Sequence, residues 1–237
     1  AGYIPPRATG YNRAYGYLIT LNANGTYNLS SVSAENDTRA NYTSALTSSV
    51  VANNVAIPSN GIIFVEDNVW VRSEAGGFDG RVTIASARLA VSGQTTVSVV
   101  DNIKYKDQYS GGDAIGLIAE NNIDIAPYVP VPLTVHSAMI AQAGRVQFRP
   151  ESYSNSQATV GYVTESQRLN FFGSVASQEQ WTWSWLRCGS LNSTSCWSGF
   201  RYNETKYDEN LRYAPPPNFP VTSTYDILEW REVITAA

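Results

Sequence analysis

The sequence predicts an all-β fold, a single-domain right-handed β-helix (β-solenoid), from two observations. The first is composition: 43% of the residues are hydrophobic, only 15% are charged, and there are 15 Tyr and 6 Trp. Together with abundant Val, Ile and Thr, this mix is typical of strands. The second is a recurring phrase of an apolar residue, a polar corner and an apolar-polar-apolar triplet, at residues 65–71, 84–91, 118–125, 140–148 and 175–183. Recurrence at about 20 residues predicts stacked coils.

The first region, residues 1–54, is predicted to form an N-terminal β-hairpin and a short helical cap. Asn24 and Gly25 lie between two alternating runs, and this pair favours the tight turn of a hairpin because both positions accept positive φ. The polar stretch at residues 33–51 contains the densest helix-like pattern of the chain. We expect one short helix there, covering the first coil.

Residues 55–185 are predicted to form the coils. Short alternating runs are separated by Gly, Asn and Asp, and each run is too short to bury a face alone, so burial has to come from the coils above and below. The polar corners suit turns, since Asn and Asp bond their own main chain.

Residues 186–237 are predicted to form an aromatic- and Pro-rich C-terminal cap and a final strand in the same globular unit. The run at residues 215–217 is Pro-Pro-Pro, which cannot donate to a sheet, so it is predicted to lie as extended polyproline-like chain along a surface. The partly alternating tail at residues 225–233 is predicted to be a final strand.

Charge and hydropathy argue against a nucleic-acid partner and against a transmembrane segment. The formal net charge is -4 and no basic run is present, so the footprint of a nucleic-acid-binding protein is missing. No apolar stretch reaches the roughly 18 residues needed to cross a bilayer, so no transmembrane segment is predicted in this chain.

The two cysteines, Cys188 and Cys196, lie in a turn-rich segment that could close on itself. We favour a local disulfide, which would place the chain outside a reducing cytoplasm; two free thiols are the alternative. No His or further Cys is near them in the sequence, so no zinc or other metal site is predicted.

Acidic residues at the coil corners are the candidates for chemistry. If the coils stack in register, Glu66, Asp67, Asp101 and Glu120 could share one corner, as in carbohydrate-active β-helices. We favour the simpler interpretation that they form turns. The single histidine, His136, lies in a predicted strand without a nucleophile motif, and we interpret it as a packing residue. No catalytic residue and no cofactor is predicted.

Trp181, Trp183 and Trp185 alternate along one segment and allow two interpretations. Alternate residues of a strand share a face, so the three indoles could form a platform for sugar rings. Alternatively, they close the end of the coils, where apolar core and strand edges would otherwise be exposed. We favour the closing role.

Residues 55–71, 80–86 and 116–121, together with the ending around Tyr207-Asp208, the Pro run at 215–217 and residues 228–232, carry a resemblance to a known family. They resemble type IV pilus-associated PilX-like bacterial surface proteins with a β-solenoid domain of unknown function. The resemblance implies an extracellular or cell-envelope location, downstream of a pilin-like membrane-anchoring helix that this sequence lacks. It implies pilus or envelope proteins as partners, and it supplies no catalytic residues.

These observations predict a non-catalytic structural or adhesive component of the bacterial cell surface, with surface glycans as a further class of partner. The alternative is a carbohydrate-active β-helix, either a polysaccharide lyase or hydrolase or a sugar-binding module, that uses the acidic corner and the tryptophans.

Overall fold

The computed structural model describes residues 2–7, 12–37, 41–90, 94–109, 111–149, 168–186, 197–200 and 202–220. Within these ranges the chain is mostly strand, with one α-helix, α1 (Tyr42–Ala45), and one 3₁₀ helix, Glu209–Arg212. The strands form two seven-stranded sheets and one two-stranded sheet. No helix of the described chain is long and apolar enough to span a membrane.

The first sheet is parallel throughout. Alternation of apolar and polar residues sends one set of side chains inward, and Val82, Ile84 and Leu117 have no exposed surface. Its strands, in spatial order, are β1 (Tyr3–Ile4), β5 (Ile62–Val65), β7 (Arg81–Ser86), β9 (Ala114–Ala119), β11 (Leu133–Ala141), β13 (Arg168–Ser177) and β16 (Tyr202–Tyr207).

The second sheet is mixed. In spatial order it contains β12 (Val146–Phe148), β10 (Ile123–Ile125), β8 (Val97–Val99), β6 (Asn68–Ser73), β2 (Gly16–Leu21), β3 (Thr26–Glu35) and β4 (Leu46–Ala56). Pairing is parallel from β12 to β2 and antiparallel between β2, β3 and β4. The turn between β2 and β3 contains Gly25 at a φ of 78°, which an L side chain rarely adopts.

The two large sheets share one buried apolar cluster, which contains the inner residues of both. From β5 to β13 the chain alternates between them. Asparagines at the corners join successive layers, because Asn68 Oδ1 accepts from Thr96 N at 3.1 Å and Asn122 Oδ1 accepts from Arg145 N at 2.9 Å. The polar corners of the sequence therefore fix the turns between strands.

The predicted right-handed β-helix is wrong. The structure contains two open seven-stranded sheets, not closed coils, and one of them ends in the antiparallel strands β3 and β4. The recurring phrase specifies which residues point inward, and two facing sheets of parallel strands satisfy that requirement without a coil of constant length. What the structure supports of the fold class is a mostly β chain with almost no helix.

The helix expected within residues 33–51 is restricted to α1. Asn41 caps it, accepting from Ser44 N at 3.0 Å, and the chain turns into β4 directly after Ala45. Leu46, Val50 and Val51 belong to that strand, in which Leu46 pairs with Glu35 and Val50 with Ser30, and Val51 lies at a register shift. The predicted final strand at residues 225–233 lies outside the described residues.

A C-terminal segment, the strap (residues 214–219), lies across the outer face of β5, β7 and β9. Arg81 Nη2 donates to the carbonyl of Ala214 at 2.8 Å, and Thr83 Oγ1 donates to that of Pro217 at 2.5 Å. Gly116 leaves room for the strap, since a Cβ there would lie 2.7 Å from a ring carbon of Phe219. Parallel sheets are normally covered on both faces, and the strap covers the outer face of β5, β7 and β9.

Candidate functional site

In the part of the chain that the structure describes, no segment covers the outer face of β11, β13 and β16. Parallel register aligns its outward residues in rows: Thr134 lies beside Asn170, which lies beside Glu204. In the next row, His136 neighbours Phe172, which neighbours Lys206. Because alternate residues of each strand point the same way, these two rows face solvent together.

Two adjoining depressions occupy this face, and they share Glu204. We call the pair the outer groove. The first, of about 380 Å³, is lined by Arg168, Tyr202, Asn203 and Glu204. The second, of about 270 Å³, is bounded by the two rows described above and by Gln108 and Tyr109 from the loop before β9. Both depressions are open and shallow, which suits an extended polar ligand better than an enclosed small molecule.

His136 forms the base of the second depression and is 7% exposed. Its ring packs edge-to-face on Tyr105 and Phe172, with centroid distances of 5.2 and 5.7 Å. Nδ1 accepts a hydrogen bond from the backbone N–H of Tyr105 at 3.1 Å. Since Nδ1 is an acceptor, the neutral ring carries its proton on Nε2.

Burial, assisted by the charge of Lys104, lowers the pKa of His136 to about 4. The ring is therefore neutral at physiological pH. Nε2–H has no hydrogen-bond partner in the described chain and is not among its fully enclosed unpaired atoms. It is a fixed donor at the floor of the groove.

Glu204 pairs with two cations on the same face. Lys206 Nζ lies 2.6 Å from one of its carboxylate oxygens, and Arg168 Nη1 lies 3.6 Å from the other. The hydrogen bond and the charge of Lys206 lower the pKa of Glu204, so this carboxylate is ionised and acts only as an acceptor.

No protein-family model, curated protein or solved structure matches this chain. The groove is therefore interpreted from its own chemistry. Exposed aromatic rings, amides, a hydroxyl and one ion-paired carboxylate can hold a polar ligand. The described residues contain no group of three or more potential ligands that could hold a metal ion.

Three members of the acidic corner predicted from the sequence lie near one end of the sheets, but structural contacts occupy them. Asp67 is 1% exposed and accepts from the backbone N–H groups of Arg7 and Asn68. The guanidinium of Arg88 lies 4.0 Å from Asp67, and its backbone N–H donates to Glu120 at 3.0 Å.

Glu66, also in that corner, accepts from the hydroxyl of Tyr3 at 2.6 Å and so holds β1 against β5. Asp101, the fourth residue, is separate from the other three. It follows β8 and lies 4.0 Å from Arg72 near the carboxyl end of β6, whereas Asp67 precedes that strand. The four carboxylates therefore do not converge in an outward groove.

The three tryptophans do not share one exposed face. Trp183 is 3% exposed and packs on Phe171 at a centroid distance of 5.3 Å, so it closes the end of the core. Trp181 is 44% exposed. Trp185 is half-buried and donates from Nε1 to the carbonyl of Phe148 at 2.8 Å. Cys188 and Cys196, with their predicted disulfide, lie outside the described residues.

A buried ionic cluster on the outer face of the second sheet was not predicted from the sequence. Glu35 Oε1 accepts from Trp70 Nε1, Tyr128 Oη and Arg149 Nη2 at 3.0, 2.6 and 2.7 Å. Arg149 also donates to Asp37 at 2.7 Å. Burial alone raises the pKa of Glu35, but the charge and hydrogen bonds of Arg149 outweigh it, and the pKa is lowered. The cluster joins β3 to the end of β12.

The groove residues carried only a weak signal in the sequence. Tyr202, Glu204 and Lys206 alternate in the manner of one strand face, but such a pattern does not reveal which strands lie beside it. His136 is 36 residues or more from Phe172 and Lys206 in the chain, and only the parallel register of β11, β13 and β16 aligns them.

Proposed function

We propose that this protein is a non-catalytic structural or adhesive component of the bacterial cell surface, and that the outer groove is its glycan-binding face. The composition of the groove carries the proposal. Tyr109 and Tyr202, 85% and 38% exposed, lie at its margins, and hydrogen-bonding side chains lie on its floor. Aromatic rings stack on the C–H faces of sugars, while amides and charged groups bond the hydroxyls.

The scaffold supports a binding role because it holds the groove on strands. His136, Asn170 and Lys206 belong to three neighbouring strands whose register is fixed by backbone pairing. Side chains on paired strands are positioned more rigidly than side chains on loops. Little ordering is therefore needed when a ligand binds.

A binding role also fits the carboxylates better than hydrolysis does. Glycoside hydrolases place two free carboxyl groups on either side of the scissile bond. Among the described residues that line the groove, Glu204 is the one carboxylate, and it is already paired with Lys206 and Arg168. Asp67 and Glu120 are engaged elsewhere in structural contacts.

The proposed setting is the cell envelope, in association with type IV pili or related machinery. The resemblance to PilX-like surface proteins supports this part of the proposal. A surface component needs a stable frame and an exposed contact face, and the paired sheets and the outer groove meet these two needs.

Adhesion of the producing bacterium tests the proposal. We expect a deletion strain to lose adhesion to glycan-coated surfaces, and the wild-type gene to restore it. A Tyr202→Ala/Asn170→Ala variant should reach the envelope fraction but fail to restore adhesion. Tyr213→Ala is the matched control, since Tyr213 is 82% exposed and does not line the groove. Full adhesion by the groove variant, or a chain confined to the cytosolic fraction, would contradict the proposal.

A further inference from the structure

The outer groove has a local charge opposite to that of the whole chain. Arg168 and Lys206 contribute two positive charges, and Glu204 contributes one negative charge, whereas the chain has a formal net charge of -4. Asp107, on the loop that carries Tyr109, does not line either depression. An anionic group that enters the groove therefore meets a net positive field.

Two side chains on the floor of the groove, His136 and Lys206, offer hydrogen-bond donors and no free acceptor. Nε2–H of His136 has no partner in the described chain. Lys206 carries three N–H donors, of which the contact with Glu204 uses one. The carboxylate of Glu204 is the strongest acceptor present, and its two cations already occupy it.

A ligand that complements these groups is rich in acceptors and carries negative charge. Sugar hydroxyls both donate and accept, so neutral saccharides complement these two donor-only side chains only in part. A carboxylate offers two acceptor oxygens and no donor, and its hydrogen bonds to an ammonium or guanidinium group are roughly twice as strong as neutral ones.

We infer that the outer groove selects acidic saccharides, such as uronic-acid polymers, by binding their carboxylate between Lys206 and the Nε2–H of His136. The two residues lie in one row, on either side of Phe172. Phe172 lies between them and provides an apolar surface on which the sugar ring that carries the carboxylate can pack. This inference rests on the proposed glycan-binding function and adds the chemical class of the ligand.

An array of neutral, carboxylated and sulfated glycans tests the inference, followed by titration of the best-bound carboxylated glycan and its carboxyl-reduced counterpart. We expect binding to the carboxylated form at least tenfold tighter than to the reduced form. Lys206→Ala should remove most of this difference between the carboxylated and the reduced form. Lys106→Ala is the matched control, because Lys106 is also exposed and paired with a single carboxylate, Asp79, but does not line the groove.

The outcomes separate the inference from the proposed function. Equal binding of the carboxylated and reduced forms overturns the inference and leaves glycan binding intact. Equal binding of sulfated and carboxylated glycans indicates recognition of any anion and overturns the choice of carboxylate. No binding to any class of glycan overturns both the inference and the proposed function.

Discussion

His136 is expected to make the stability of this protein depend on pH. The folded chain holds the ring neutral, with a pKa lowered from 6.5 to about 4 by burial and by Lys104. In the unfolded chain the ring is half protonated at pH 6.5 and becomes mostly protonated as the pH falls below that value. Between these two values the unfolded state binds more protons, so acid favours unfolding. The contribution is fully present above pH 6.5 and is lost as the pH falls toward 4.

The magnitude follows from the two pKa values of this side chain. Lowering the pH from 7 to 4.5 should reduce the free energy of unfolding by about 2 kcal/mol through His136 alone. His136→Asn is the matched variant, since the Asn side-chain oxygen can accept from Tyr105 N in place of Nδ1 and does not titrate.

Urea unfolding of both proteins at several pH values between 4.5 and 7 measures the difference. The carboxylates titrate in both proteins and cancel in the comparison. The wild type should lose about 2 kcal/mol more than the variant. Parallel stability curves, or a His136 pKa near 6.5 by NMR, would refute the reasoning.

Three further predictions concern the stability of the two large sheets and of the strap that lies on the first. Arg149→Met should lower the free energy of unfolding, measured in urea, by about 3–5 kcal/mol, because it leaves Glu35 buried without its charge partner. Arg145→Ala, at an exposed ion pair, should lower it by less than about 1 kcal/mol. Equal effects of the two substitutions would contradict the buried cluster. Trp183→Ala should cost about 3–5 kcal/mol and Trp181→Ala clearly less, since only Trp183 is buried; the reverse order would mean that Trp183 does not close the core. Gly116→Ala should cost about 1–3 kcal/mol and speed amide exchange in the strap, which unchanged exchange would disprove.

The sequence predicted the inward residues of the strands better than the arrangement of the sheets. Val69, Val71, Ile123 and Ile125, which belong to the recurring phrase, are fully buried. Alternation determines which side chains point inward, but it does not determine how the chain returns from one strand to the next. Strand β4 shows this, since residues within the stretch expected to contain a helix pair antiparallel with β3 and extend the second sheet.

The functional groups could not be predicted in the same way, because they depend on contacts between distant residues. Glu35 and Arg149 are 114 positions apart, and no local pattern connects them. The outer groove lies on β11, β13 and β16, whereas the described strap residues lie on β5, β7 and β9, and this arrangement is a property of the folded chain. His136 looked like a packing residue in the sequence, and its packing on Tyr105 and Phe172 agrees with that, but its Nε2 has no hydrogen-bond partner among the described residues.

The most direct test of the glycan-binding groove uses the fact that the chain contains one histidine. Selective ¹⁵N-histidine labelling gives NMR signals from His136 alone. The account predicts a neutral ring protonated at Nε2 at pH 7, and an Nε2 resonance that moves progressively when the best-bound glycan of the array is titrated in. An Nδ1-protonated ring, or an Nε2 resonance that stays in place while the glycan saturates the protein, would contradict it.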